Sequence, residues 1–302
     1  MQELPAQKPL LQNLLLCCLF AFQLISCSNI FEKAASKTTD EAILEDATKA
    51  LDSLNFDSAI SKFSELSTEY KTRQDVIEQW AWALAGKCGM DFITFFTNLG
   101  QATLSGSTIF RYFMSAFDQV VIDPASCKLA EEKMNEISPS PSSRNANQNL
   151  FMMILGMVKI GTYLRYEADR DSTSSLGDGS MDAGFDACTV SATDLPANPP
   201  VIGQFSDNDI KQIVTGLGQV IMNFTAVGAS VLGTDATAAL SGLTTTCAAL
   251  PTNPCNITDP ANVDATTVTL MRQLLHTAPT NPALALGIGG CTNADVTQCC
   301  GL

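Results

Sequence analysis

The chain has 302 residues, with 17 Lys and Arg against 31 Asp and Glu, and a formal charge of -14. Its acidity is uneven: from Asp171 to Leu302 there are eleven aspartates and no glutamate, against Lys211, Arg272 and His276 as the basic side chains. Such a surface repels phosphate backbones and anionic lipid, which argues against nucleic acid as a partner and against membrane binding by charge.

Residues 14 to 25 read "LLLCCLFAFQLI", an apolar run shorter than the roughly 20 residues a membrane helix needs and of the length of a signal-peptide core. "LISC", Leu24 to Cys27, follows. A large apolar residue and then a small one before cysteine resembles the lipobox of bacterial lipoproteins. Residues 1–26 would then be a signal peptide, and the Cys27 thiol the point of lipid attachment. Several acyl chains on one residue give stable anchoring, where one chain gives marginal binding. The resemblance implies a cell-envelope protein, tethered to the outer membrane because Ser28 and not aspartate follows the cysteine. Lys8 offset by Glu3 is the one departure from a basic leader.

After a linker over 27–38, residues 39–302 are expected to form one all-α domain of antiparallel helical hairpins. "TTDEAILEDATKALDSL" sets Ile43, Ala47, Ala50, Leu51 and Leu54 on one helical stripe, with Thr39 as N-cap. A second helix is expected from about Asp57 to Tyr70. Phe56, Ala59, Phe63 and Leu66 fall at the spacing of a tetratricopeptide repeat, in which a small residue lets two helices approach and an aromatic fills the groove to the next. Residues 39 to 70 therefore resemble one such hairpin, and the resemblance implies a concave binding surface.

Further helices are expected in chain order. One carries Val76, Ile77, Trp80, Ala81 and Leu84 on one face. One starts at Asp91 and ends at Gly100. One is built on Phe110, Phe113, Met114 and Phe117. The next opens at Asp123 with Pro124 in its first turn. "NQNLFMMILGMVKIGTYLRYEAD" reads as a central core helix, because Lys159 and its length argue against a membrane span. Residues 171–205, rich in Ser, Gly, Asp and Pro, form an irregular insertion. Ser206 and Asp209 then make a capping box for a long helix in which Gly216, Gly218 and Gly228 would admit a close neighbour. Two more helices and a cysteine-rich tail complete the chain, with no period-two pattern that would make a sheet.

Eight cysteines follow Cys27, an even number that suggests disulfides in an exported protein. "CAALPTNPC" turns two helix ends through prolines and predicts a Cys247–Cys255 bond. Cys188 is expected to tether the tail through Cys291, Cys299 or Cys300. For Cys88 and Cys127, a disulfide and free buried thiols are equally open. The candidate metal site is "GDGSMDAGFDAC", whose Asp178, Asp182 and Asp186 suggest a weak calcium loop, although Ser174, Leu176 and Phe185 occupy positions where such a loop carries ligands. No other cofactor is expected. His276, near a helix end, reads as structural. No G-x-S-x-G, H-E-x-x-H or S-x-x-K pattern occurs. The function expected is a non-catalytic envelope scaffold that binds a protein partner in a groove between hairpins. The alternatives are a ligand-binding lipoprotein like the T-components of solute transporters, and an envelope hydrolase working with aspartates.

Overall fold

A computed structural model of the chain describes residues 38–91, 94–95, 108–170, 176–194, 203–227, 233–280 and 286–301. The leader, Cys27 and nearly all of the linker lie outside these residues. The described fold is all-α: ten helices, short 3-10 turns, and two isolated bridges, Val190–Phe205 and Thr277–Cys291.

The first hairpin joins α1 (Asp40–Asp52) to α2 (Phe56–Glu65). The Thr39 hydroxyl accepts from the Ala42 amide, and Asp40 and Glu41 occupy the first turn, where the helix dipole favours carboxylates. Ala59 and Phe63 are fully buried, and Phe63 stacks on Trp80 with ring centroids 6.1 Å apart. The second helix stops earlier than its periodicity suggests. Ser67 caps a separate short helix, α3 (Thr68–Lys71), and gives its own amide to Asp40 at 2.8 Å. A serine that offers the backbone this local alternative ends α2 at Glu65.

α4 (Gln74–Cys88) serves two clusters. Val76 and Ala83 face the hairpin, while Ala81, Leu84, Ala85 and Cys88 face the main core. It ends at Gly89, whose φ of +115° is the left-handed cap that glycine adopts freely. Of the helix expected from Asp91, only Asp91, Thr94 and Phe95 are described, and Asp91 accepts from the Thr94 amide as a cap would. α5 (Ile109–Ser115) is shorter than its apolar run, because residues 116–119 turn back and Gln119 takes φ +57°. α6 (Pro124–Ile137) opens with proline after Asp123, whose carboxylate accepts from the Ser126 hydroxyl and not from a helix amide.

α7 (Ala146–Ala168) is the axis of the core, buried along nearly its whole length and packed against α4, α5, α6 and α8 (Asp207–Val227). Asn145 and Gln148 cap it reciprocally, and Ser206 with Asp209 does the same for α8. The two axes come close because glycines meet: a Cβ on Gly156 would lie 2.7 Å from the Gly216 carbonyl oxygen. Gly218 likewise faces the Ile257 carbonyl; Gly228 lies outside the described residues. α9 (Gly233–Ala248) and α10 (Ala265–His276) close the set. No described helix is long and apolar enough to cross a membrane.

A polar seam runs through this core. Lys159, fully buried, pairs with Glu131 of α6 and donates to Thr215 Oγ1 of α8 at 2.7 Å. Gln219 donates to the other Glu131 oxygen at 2.7 Å, and Arg144 donates to Asn223 at 3.1 Å and to Asn135 at 2.6 Å. Buried ions persist only when paired and hydrogen-bonded in this way.

Four disulfides are formed: Cys88–Cys127, Cys188–Cys300, Cys247–Cys255 and Cys291–Cys299. The Cys247–Cys255 link is the one expected from the proline turn. Cys188 holds the tail through Cys300. Cys88 and Cys127 are bonded and not free, because the end of α4 packs on the start of α6 and brings their Cα atoms to 5.2 Å.

Candidate functional site

An open groove lies between the outer face of α4 and the first turns of α7, with Met134 of α6 at its floor. Its volume is about 410 Å³. Glu78 and Trp82 line it from α4, and Asn147, Gln148, Leu150 and Phe151 from α7. Trp82 is 40% exposed and tilts over Phe151, the ring centroids 4.7 Å apart. Large aromatics are usually covered in a core of this size, so a half-exposed indole beside a cavity is the notable feature.

Local sequence explains the groove's shape. Trp80 and Trp82 sit two residues apart on α4 and so point to different sides. Trp80 turns inward to Phe63 and carries Lys133 over its ring at 4.2 Å. Trp82 falls off the buried stripe and faces the groove. Gln148 fixes the opposite wall. Its side-chain oxygen accepts from the Asn145 amide at 2.9 Å, and its amide group donates to Glu78 Oε1 at 2.8 Å. Glu78 also accepts from Gln74 at 3.0 Å. The arrangement offers a flat aromatic face, carboxamide donors and acceptors and one carboxylate. That set binds and orients a ligand by stacking and hydrogen bonding.

The residues singled out from sequence are elsewhere. Cys27 lies outside the described residues. Asp178, Asp182 and Asp186 do not converge: among the described residues, the only group of three or more potential metal ligands contains Asp186 but neither of the other two. Each of the three accepts from a backbone amide, Asp178 and Asp186 within a local turn and Asp182 from just beyond the end of α7. Asp178 accepts from the Ser180 amide at 2.8 Å, Asp182 from the Arg170 amide at 2.8 Å, and Asp186 from the Cys188 amide at 2.9 Å. The spacing that suggested a calcium loop therefore does not gather the three carboxylates into one group. His276 ends α10 beside Asp186, Nδ1 to Oδ1 3.7 Å.

Buried groups of the core hold the insertion down. Asp169 accepts from the Asp178 and Gly179 amides, both at 2.9 Å, and Glu167 from the Gly203 amide at 3.1 Å. Arg272 of α10, 1% exposed, donates to the carbonyls of Ala187 at 3.0 Å and Phe205 at 2.9 Å and pairs with Asp207. Burial pushes the Asp169 carboxyl up to about 6 and the Glu167 carboxyl up to about 8, against the backbone amides that favour their ionised forms. Glu167 thus stays protonated in the folded chain where the unfolded chain has released that proton. Its contribution to stability is complete below about pH 4.5 and is lost as pH rises through about 8. Glu167→Gln, which cannot ionise, is expected to flatten the fall in stability across that window. Urea midpoints measured from pH 5 to pH 9 check this; an unchanged slope in the variant would refute it.

The chain matches no family model, no curated protein and no solved structure.

Proposed function

We propose that the protein is a lipid-anchored envelope component that acts as a non-catalytic interaction or assembly scaffold, holding a partner protein in the groove at Trp82. The observation that carries this reading is the half-exposed indole beside a cavity of about 410 Å³ whose walls are fixed by the Gln148–Glu78 contact. Its neighbours supply directional bonds, so a partner segment would lay an apolar side chain on Trp82 and set polar groups against Asn147 and Glu78. The α1–α2 hairpin, with Ala59 and Phe63 at the tetratricopeptide-like spacing, belongs in this reading to a helical array that presents such a groove. Four disulfides support a compartment outside the reducing cytoplasm. Attachment through Cys27 supplies the membrane link that an acidic surface does not.

The groove volume falls within the range of about 300–1,000 Å³ typical of small-molecule sites. That favours, as a second reading, a ligand-binding lipoprotein of the T-component kind associated with a solute transporter.

Two measurements test the proposal. Trp82→Ala is expected to weaken partner binding by about thirtyfold, the equivalent of about 2 kcal/mol for a central aromatic anchor, and titration calorimetry with the purified partner reads it. Equal affinity in the variant would remove the groove from the account. Cys27→Ala, expressed in the native host, is expected to abolish acyl labelling and detergent partitioning. Unchanged partitioning would sink the anchor.

A further inference from the structure

The insertion and the end of α10 meet at the single histidine of the chain. His276 Nδ1 is closed off from solvent and has no hydrogen-bond partner, while Asp186 Oδ1 stands 3.7 Å away. An orphaned buried ring nitrogen is costly unless something occupies the space beside it. The Asp186 carboxylate is held in place by the Thr189 hydroxyl at 2.7 Å and the Cys188 amide at 2.9 Å. One ligand atom from each of Asp186, Cys188 and His276 lies within 4.8 Å of the others. Nitrogen and oxygen ligands with bonds of about 2.1 Å to a tetrahedral zinc-type ion sit about 3.4 Å apart, near the separation found here.

The third atom is withheld. Cys188 Sγ is bonded to Cys300, and a disulfide sulfur is not the thiolate such an ion takes. Access singles out this bond. Both cysteines are buried in Cys88–Cys127 and in Cys247–Cys255, and Cys299 is buried in Cys291–Cys299. Cys188 and Cys300 are both partly exposed. Thiol–disulfide exchange needs an approach to sulfur, so a dithiol opens Cys188–Cys300 first.

We propose that Asp186, Cys188 and His276 form a redox-gated site for a divalent ion of the zinc class, closed while the Cys188–Cys300 disulfide is intact and opened by its reduction. A dithiol reductant supplies two electrons and two protons: its own thiols close to a disulfide as the Cys188–Cys300 bond breaks to two thiols. The ion then takes the Cys188 sulfur as thiolate, its proton passing to solvent, together with neutral His276 Nδ1, Asp186 Oδ1 and a water in the fourth position. The acidic carboxy-terminal half of the chain draws cations toward it. This site is separate from the groove at Trp82 and stands or falls without it.

The test uses Co²⁺ as probe on the full chain, reduced with dithiothreitol and freed of it by anaerobic desalting. Peptide mapping is expected to show Cys188–Cys300 opened before the other three bonds. The reduced protein is expected to gain a thiolate-to-cobalt charge-transfer band that the oxidised protein lacks and that His276→Ala loses. Cys300→Ser frees the Cys188 thiol with no reductant, and it should show the same band while keeping its helical far-ultraviolet signal. A folded Cys300→Ser protein without the band overturns the proposal. So does a band of equal strength in His276→Ala or in the oxidised chain.

Discussion

Replacing Lys159 with methionine is expected to destabilise the protein by about 3–5 kcal/mol, the cost of leaving one member of a buried ion pair without its partner. Domains are commonly stable by only about 5–15 kcal/mol, so this single change takes much of the margin. Glu131 is 5% exposed and receives Lys159 at one oxygen and Gln219 at the other. Methionine fills the lysine's space but offers no donor, and Thr215 loses a partner as well. The double variant Lys159→Met with Glu131→Gln removes both charges and keeps a carbonyl for Gln219 to donate to. It should recover most of the loss. Urea unfolding of the two singles and the double closes the cycle. A single variant within about 0.5 kcal/mol of the parent, as exposed sites behave, would show that the seam is not buried.

Removing the Cys88–Cys127 bond is expected to cost about 4 kcal/mol, the loop entropy released in the unfolded chain by a link spanning 39 residues. The bond joins α4, one wall of the groove, to α6, whose Met134 is its floor, and both helices meet α7. Cys88→Ala with Cys127→Ala should lower the urea midpoint, with the helical signal retained in water. A change under about 1 kcal/mol would mean that the free-thiol reading of these two cysteines was the right one. The much shorter loop of eight residues between Cys247 and Cys255 should give the smaller effect, about 2.5 kcal/mol.

What was legible in the residues was local. The Ser206–Asp209 box joins residues three apart, and its pattern announces it. The turn through two prolines brings Cys247 and Cys255 together within eight residues. The apolar run around α7 carries its own evidence for a core helix. What was not legible depends on partners far along the chain. Lys159 was visible as an odd cation in an apolar run, yet Glu131 lies 28 residues before it and Thr215 lies 56 after it. Arg272 stood out in an acidic region, but the carbonyls it clamps come from an insertion without periodicity. The aspartates at 178, 182 and 186 had a suggestive spacing, but the fold does not bring the three into one group. For the groove, the signal was an aromatic left off its helix's buried stripe. Trp82 follows Ala81 but does not share its face, and only the packing of α7 against α4 turns that exposed ring into the wall of a cavity.

The central claim is that the groove at Trp82 holds a protein partner. Cross-linking in the native host followed by mass spectrometry tests it most directly, with the unmodified protein compared against Trp82→Ala. The expected result is one partner cross-linked in stoichiometric yield through residues around Glu78 and Asn147, and lost in the variant. A small molecule that raises the melting temperature of the unmodified protein but not of Trp82→Ala, with no protein cross-linked, would replace the scaffold with the ligand binder. Peptidoglycan turnover by the purified protein, abolished when a single aspartate becomes asparagine, would contradict both.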